Sequence, residues 1–405
     1  MSMIPFSPPR IDEKIIDAVT ETLRSGWITT GPKTAQFETM LTEYSGSKAT
    51  LCVYSATVGL EAFLRWFGVG EEDEVIVPVY TYCATANVVI HCNAKPVFVD
   101  INKHDFNISV QEIEKAITSK TKVILPVDFG GYPCDYNEIN ELVSRPDIIE
   151  KFRPKTDIQK NLGRILVLED AAHSLGAEYH GKKTGSLTDL AVFSFHAVKN
   201  LTTGEGGAIA FNLPEKFDNR KICEEFGIFS LHGQSRNAFQ KIKDGNWRYD
   251  VVEAGYKTNM TDIMASIGLV ELERYDTDML EKRKYIFSRY TEAFSKFDWA
   301  EIPEYETENK KSSYHIYPLR IKGINEFQRD DIIKASFKEG VSLNVHFQPV
   351  AMFTYYKKLG YSIKDYPVAY DNYSREISLP VFYDLNDEQI NTVIDTVRKN
   401  VEAII

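Results

Sequence analysis

Short apolar runs alternate with amphipathic stretches through the first half of the chain. Ile15, Ile16, Val19 and Leu23 recur at helical spacing between Ile11 and Arg24, with Pro8 and Pro9 before the stretch and Gly26 after it. Ala35 to Tyr44 repeats the pattern through Phe37, Met40 and Leu41. The run TLCVY predicts a strand that passes directly into the helical spacing of Leu60, Phe63, Leu64 and Phe67. EVIVPVY, PVFVD, TKVILPVDF, ILVL and LAVFSF are further strand candidates, interleaved with helical stretches such as TYCATANVVI. This alternation predicts an α/β fold whose sheet is largely parallel and flanked by helices. Such sheets bind ligands beyond the carboxyl ends of their strands, which singles out Ser55, Tyr80 to Tyr82, Asp128, Asp170 and the residues from Ser194 onward.

The second half has a different rhythm. Pro146 to Asn161 is charged and without clean periodicity, which predicts a surface helix or insertion. Glu215 to Gly227 predicts a helix, and residues 230–260 are polar, aromatic and too long for an idle loop. Asp262 to Phe297 is strongly helical and predicts a bridge to a smaller C-terminal lobe. That lobe has strand candidates at YHIYPLRI and VSLNVHF, and helices at Asp330 to Glu339 and Glu388 to Ala403. The predicted organisation is a large α/β domain over 1–260 and a smaller α+β domain over 261–405, as expected for 405 residues.

Charge and cysteine content narrow the class. The net charge of −11, with no Lys/Arg cluster, argues against a nucleic-acid partner. The five cysteines are odd in number and lack C-x-x-C spacing, which favours reduced thiols over a zinc site or a disulfide framework, so no metal is expected. Met1 to Arg10 lacks the apolar core of a secretory leader, and no apolar run nears membrane-spanning length. A cytoplasmic protein with no membrane partner is expected.

The chemistry concentrates between Ile165 and Asn212. ILVL ends on Glu169 and Asp170; LAVFSF is followed by Lys199; and GAIAFN returns from a loop carrying Gly204, Gly206 and Gly207. TTGEGG is not a nucleotide P-loop, and G-x-G-x-x-G, HExxH and G-x-S-x-G are absent. Upstream, Ser55-Ala56-Thr57 opens a helix whose free N–H groups suit a phosphate, although an ordinary N-cap has the same sequence. A helix-end anion site, a strand-end acid and a lysine together fit pyridoxal phosphate. The cofactor's aldehyde needs a primary amine, its pyridine nitrogen needs a carboxylate to keep it protonated, and its ring needs an aromatic or apolar face. Lys199, Asp170, Ser55 to Thr57 with Ser194, and Tyr82 can fill these roles.

Taken with GWITTGPKTAQFE, EVIVPVYTYCATAN, EDAAHSLGA, FSFHAVKNLTTGEGG, GYKTNMTDI, NVHFQP and ISLP, these residues resemble the DegT/DnrJ/EryC1 group of pyridoxal-phosphate-dependent sugar aminotransferases, of fold type I, over nearly the whole chain. The resemblance implies Lys199 as the Schiff-base lysine, Asp170 as partner of the pyridinium nitrogen, and Ser194 with the backbone of Ala56 and Thr57 as the phosphate site. It places Tyr82 over the cofactor, His173 close to its ring, and Asn259 at the phosphate of a neighbouring subunit. That last position implies a homodimer with shared active sites. Thr29, His315 and His346 fall in motifs near the family's sugar site, and either histidine is equally readable as a satisfied core residue. Alanine at position 56, where glycine is usual, keeps the phosphate donor if its φ is negative, and Gly59 stands where alanine is usual.

The implied reaction moves an amino group from L-glutamate to a keto group of a nucleotide-linked sugar. The branch implied by AAHSLGA and WRYDVVEAGYKTNMTDI aminates C4 of UDP-4-keto-6-deoxy sugars of the 2-acetamido type, as in bacillosamine-like pathways for surface glycans. Amination at C3 and a non-catalytic regulator of the same fold are the competing expectations. The dehydratase branch carries histidine in place of the lysine, so Lys199 counts against it.

Overall fold

In the computed structural model, which describes residues 3–235 and 247–405, seven strands form the central sheet. They are β1 (Ala49–Val53), β2 (Glu74–Pro78), β3 (Lys95–Val99), β4 (Thr121–Ile124), β5 (Leu166–Asp170), β6 (Leu190–Ser194) and β7 (Gly207–Phe211), in the order β1-β7-β6-β5-β4-β2-β3. Only β7 runs antiparallel to its neighbours, and the pairs from β6 across to β3 are parallel. This is the mainly parallel sheet that the alternating runs predict. β2, β4, β5 and β7 are buried at every position because helices cover both faces.

Period-two alternation in β6 and β7 sorts their side chains between two cores. Leu190, Val192, Ile209 and Phe211 face a cluster containing Phe63 of the helix Ala56–Trp66. Ala191, Phe193, Ala208 and Ala210 face Phe37 and Leu41 of the helix Pro32–Ser45 and Ala265 of the helix Asp262–Glu273. Glycine appears where these layers come closest. A Cβ on Gly59 would lie 2.8 Å from Val192 Cγ1, so a β-branched neighbour excludes the alanine that is usual there.

A third cluster gathers the C-terminal elements. Ile286 and Phe287 of the helix Glu281–Phe294 pack with Leu319, Ile377 and Val393, around a three-stranded sheet of Ala300–Glu301, Tyr317–Ile321 and Glu376–Leu379. The N-terminal arm joins this cluster: Ile4 forms a parallel bridge to Val341 and is buried.

Several sequence expectations need correction. VSLNVHF is not a strand; Val341 bridges Ile4 while Asn344 bridges Ser378, so the segment changes partner before a ladder can form. Strand Glu376–Leu379 was not predicted, because two of its four residues are polar. Pro146 to Asn161 is a mostly exposed segment, as expected, and carries the short helix Pro146–Ile149 and most of a second, Asp157–Leu162, pinned by the buried side chains of Ile148 and Phe152. The helix Pro32–Ser45 begins before Ala35 because Asp262 caps it from a distance: its carboxylate accepts from the N–H groups of Gly31 (2.8 Å), Lys33 (3.1 Å) and Thr34 (2.9 Å). In the long segment 230–260, residues 236–246 lie outside the described part. Its described ends run antiparallel, with His232 N–H on Tyr256 O and Val252 N–H on Gly233 O, both at 2.9 Å. All five cysteines are free thiols, and no helix among the described residues is long and apolar enough to cross a membrane.

Gly207 is the tightest test of this layering. Its Cβ would meet only backbone: Ala56 N and Phe193 O at 2.7 Å and Ser55 C at 2.8 Å. Gly207→Ala is expected to destabilise by about 3 kcal/mol. Gly181→Ala, where φ is +74° and the space is open, costs about 1 kcal/mol. Equal thermal midpoints for the two variants would contradict this close approach.

Candidate active site

The carboxyl ends of β1, β2, β5 and β6 open onto a cavity of about 380 Å³. Ser55, Ala56, Thr57, Tyr82, Asp170, His173, Ser194, Lys199, His315 and His346 all line it. β1 delivers Ser55, whose hydroxyl caps the helix Ala56–Trp66 by accepting from Val58 N–H at 3.4 Å. Ala56 is helical and absent from the positive-φ residues, so its N–H remains at the helix N-terminus. Ser194 ends β6, and its hydroxyl accepts from His196 N–H at 3.4 Å. The turn after it carries Lys199, whose N–H bonds His196 O at 2.9 Å. A helix N-terminus flanked by two serine hydroxyls, with Gly207 admitting the close backbone, is a ready phosphate cradle.

Asp170 ends β5 with only 5% of its surface exposed. Its carboxylate accepts from Thr85 Oγ1 at 2.9 Å and from Ala172 N–H at 3.2 Å. Burial raises its pKa, and the two donors and the Lys199 ammonium oppose that rise. Burial brings Lys199 down to about 8, against the pull of the Asp170 carboxylate. The neighbouring Glu169 points to the other side of the strand. Burial pushes its pKa far up and the adjacent Asp128 adds to the effect. Asp128 is held by Tyr136 Oη and Ser174 Oγ, both at 2.6 Å, and by Cys134 N–H at 2.9 Å. Of the two acids adjacent in sequence, Asp170 faces the cavity and Glu169 is an internal group paired with Asp128.

Three histidines form one wall. His173 Nδ1 accepts from Gly130 N–H at 3.3 Å, leaving its proton on Nε2. His315 Nδ1 meets Asn200 Oδ1 at 2.8 Å; Asn200 Nδ2 donates to Ser313 O at 2.6 Å, so His315 must carry its proton on Nδ1. The two rings lie 4.5 Å apart. Burial, together with the Lys199 charge, holds all three histidines neutral: His173 and His315 well below the usual range, and His346 at about 3. Gly130 and Gly131 hold this wall together. Gly130 O accepts from His315 N–H at 3.1 Å, and a Cβ on Gly131 would lie 2.9 Å from His173 O.

Tyr82 stands at the mouth, 60% exposed, with its ring 5.9 Å from that of Phe347. Thr29 and Asn259 are not in this cavity. Thr29 is exposed, with its carbonyl accepting from Asp262 N–H at 3.2 Å. Asn259 is buried against Thr30, donating to its hydroxyl, and accepts from Lys257 Nζ. The sequence reasoning missed Thr85, Phe347 and Phe6. Thr85 lies three residues past Tyr82 on the first turn of the helix Cys83–His91, a spacing that could have found it. Phe347 follows His346 and stacks 5.7 Å from His173, whereas no sequence signal carries Phe6 onto the His346 ring at 5.2 Å.

A model of the DegT/DnrJ/EryC1/StrS aminotransferase family matches residues 9–150 and 155–398. The spore coat polysaccharide biosynthesis protein SpsC of Bacillus subtilis is 36% identical over 406 residues, 99% of this chain and 97% of that protein. The UDP-4-amino-4,6-dideoxy-N-acetyl-beta-L-altrosamine transaminase of Campylobacter jejuni is 33% identical over 408 residues, 99% and 98% of the two chains. Among solved structures, Spr1654 of Streptococcus pneumoniae, described as a sugar aminotransferase, superposes in its PLP form with a TM-score of 0.94 at 43% identity over the full length of both chains. Its PMP form gives 0.95 at the same identity, covering 99% and 100%.

The Lys199 environment predicts a measurable titration. Pulse acylation of the cofactor-free protein, read by mass spectrometry, is expected to label Lys199 with a midpoint near pH 8 rather than the ordinary 10.5. Asp170→Asn removes the carboxylate that holds the ammonium, so the midpoint should fall further. A midpoint that stays put in this variant would refute the coupling.

Proposed function

The chain belongs to the DegT/DnrJ/EryC1/StrS aminotransferase family, and from that premise we propose that it transfers an amino group from L-glutamate to C4 of a UDP-linked 4-keto-6-deoxy sugar of the 2-acetamido-2,6-dideoxy type, in a bacillosamine-like route to surface glycans. It is a sugar aminotransferase with a fold type I architecture, and its family uses pyridoxal phosphate. The observation that carries the finer reading is the full-length likeness to a transaminase whose name specifies a UDP-linked 4-amino-4,6-dideoxy sugar.

The residues fit the cofactor. Ser55, Ala56, Thr57 and Ser194 are assigned to its phosphate, Tyr82 and His173 to its ring, Asp170 to its pyridine nitrogen and Lys199 to covalent attachment. Pyridoxal phosphate supplies there an aldehyde and an electron-withdrawing ring that carry the amino group between the two substrates. Asp170, kept anionic by Thr85 and the Ala172 N–H, holds a proton on the ring nitrogen opposite. With the cofactor bound, Lys199 Nζ would be the group that takes the proton from the donor's carbon and returns one to the acceptor's carbon. An amine that titrates near pH 8 is populated in both forms near neutrality, as that exchange requires. His315 and His346 face the acceptor sugar.

Thr29 and Asn259, which lie outside their own cavity, are assigned to contacts across a homodimer with shared active sites. Large apolar side chains left in solvent support that assembly: Trp247 is 77% exposed, and Ile28, Val251, Val252 and Tyr256 are each exposed as well.

Purified protein should show a visible-range absorption band that is lost in Lys199→Ala. With glutamate it should aminate a UDP-4-keto sugar and leave the 3-keto isomer untouched. Product from the 3-keto isomer alone would overturn the C4 assignment, and a band that survives Lys199→Ala would overturn the assignment of Lys199 to covalent attachment. Sedimentation should give a dimer.

A further inference from the structure

Behind the histidine wall lies a buried acid that the mechanism does not use. Glu376 and Ser378 alternate on the strand Glu376–Leu379, so both project from the face opposite Ile377 and Leu379. Both are fully buried. Ser378 Oγ lies 2.5 Å from Glu376 Oε1 and 2.8 Å from His346 Nδ1. Glu376 Oε2 accepts from the His346 backbone N–H at 3.1 Å, and Tyr80 Oη donates to His346 O at 2.8 Å. Among the described residues His346 Nε2 has no hydrogen-bond partner and is not one of the enclosed unpaired atoms, and His346 lines the cavity. The cluster is a continuous line of hydrogen bonds from the cavity to a buried carboxyl group.

That line has two self-consistent proton arrangements, because a serine hydroxyl donates once and accepts freely. With Glu376 ionised, Ser378 donates to it and accepts from His346 Nδ1–H, leaving Nε2 bare. With Glu376 protonated on Oε1, the acid donates to Ser378, Ser378 donates to Nδ1, and Nε2 carries the proton. We propose that Glu376, Ser378 and His346 form a proton relay: a proton taken up at His346 Nε2 is matched by one passed from Nδ1 to Ser378 and one from Ser378 to Glu376, so the imidazole stays neutral and the charge change falls on Glu376. His346 touches the cavity; Ser378 and Glu376 act through it as positioning residues.

Two features favour such a device over an ordinary histidine base. Burial, with the Lys199 charge adding to it, makes an imidazolium at His346 unfavourable and brings its pKa down to about 3. Burial raises Glu376 to about 8 against its Ser378 hydrogen bond, the Arg329 and Arg320 charges and the His346 N–H, so both states are reachable near neutrality. The ionisable groups around the relay are Lys199, His173 and His315 in the cavity, Arg320 from Tyr317–Ile321, Arg329 from Glu326–Lys338, and Tyr80 beyond β2. Amination of a ketone needs protons moved on and off the carbonyl oxygen, and the relay supplies a neutral group for both directions. That use rests on the acceptor reading above. The proton arrangement itself can be measured with no sugar present, so either can fail alone.

The test is nitrogen NMR of the holoenzyme labelled with 15N-histidine, with His346 assigned by His346→Gln. The tautomer should pass from Nε2–H to Nδ1–H as pH rises through about 8, the ratio changing about tenfold per pH unit. In Glu376→Gln the amide oxygen must face the His346 N–H, which turns its NH2 toward Ser378 and should lock Nε2–H at every pH. Ser378→Ala should uncouple the ring from Glu376. A single His346 tautomer from pH 6 to 10 in the unmutated protein, titration as an imidazolium, or a switch that survives either variant would overturn the relay. If Glu376→Gln does not fold, the unmutated protein and Ser378→Ala decide it.

Discussion

A carboxylate held in its charged form inside the protein sets the terms for everything near it. Asp170 has lost its water, and what replaces water is a threonine hydroxyl, one backbone N–H and the field of Lys199. Each replacement requires an element of fixed geometry: the first turn of the helix Cys83–His91 for Thr85, the end of β5 for Ala172, and the turn after β6 for the lysine. The mainly parallel sheet is what brings those three ends to one edge.

The same edge disposes of its other ionisable groups by neutralising them. Burial pushes the Glu169 carboxyl far up and holds the three histidines well below their usual range beside the lysine. Ring orientation then carries the information that charge does not. His173 keeps its proton on Nε2 because a glycine N–H occupies Nδ1, whereas His315 keeps its proton on Nδ1 because an asparagine oxygen demands it. A cavity built this way offers a sugar both donors and acceptors while holding its net charge in the acid and the lysine.

The main sheet was legible because its strands are continuous apolar runs, and the acid, the lysine and the helix cap were legible because each follows such a run directly. What was not legible came from long-range contact. Phe6 reaches His346 across most of the chain, and nothing local marks it. VSLNVHF has strand composition but divides its bonds between two partners. Glu376–Leu379 was overlooked because its polar residues face a buried site, where period-two patterning ordinarily signals solvent. The proposed relay sits on that misread strand.

Asp262 has a consequence in time. It binds Gly31, Lys33 and Thr34, and its partner Thr34 lies 228 residues earlier in the chain. During synthesis at roughly 5–20 residues per second, the helix starting at Pro32 waits about 10 to 50 s for its cap to be made. Until then its first N–H groups have only water, and the layer that it forms over β6 and β7 has no fixed edge. The apolar face of β6 and β7 is complete at Phe211 and stays without that fixed edge until Asp262 is made, 262 − 211 = 51 residues later, and a ribosome-associated chaperone would find it there.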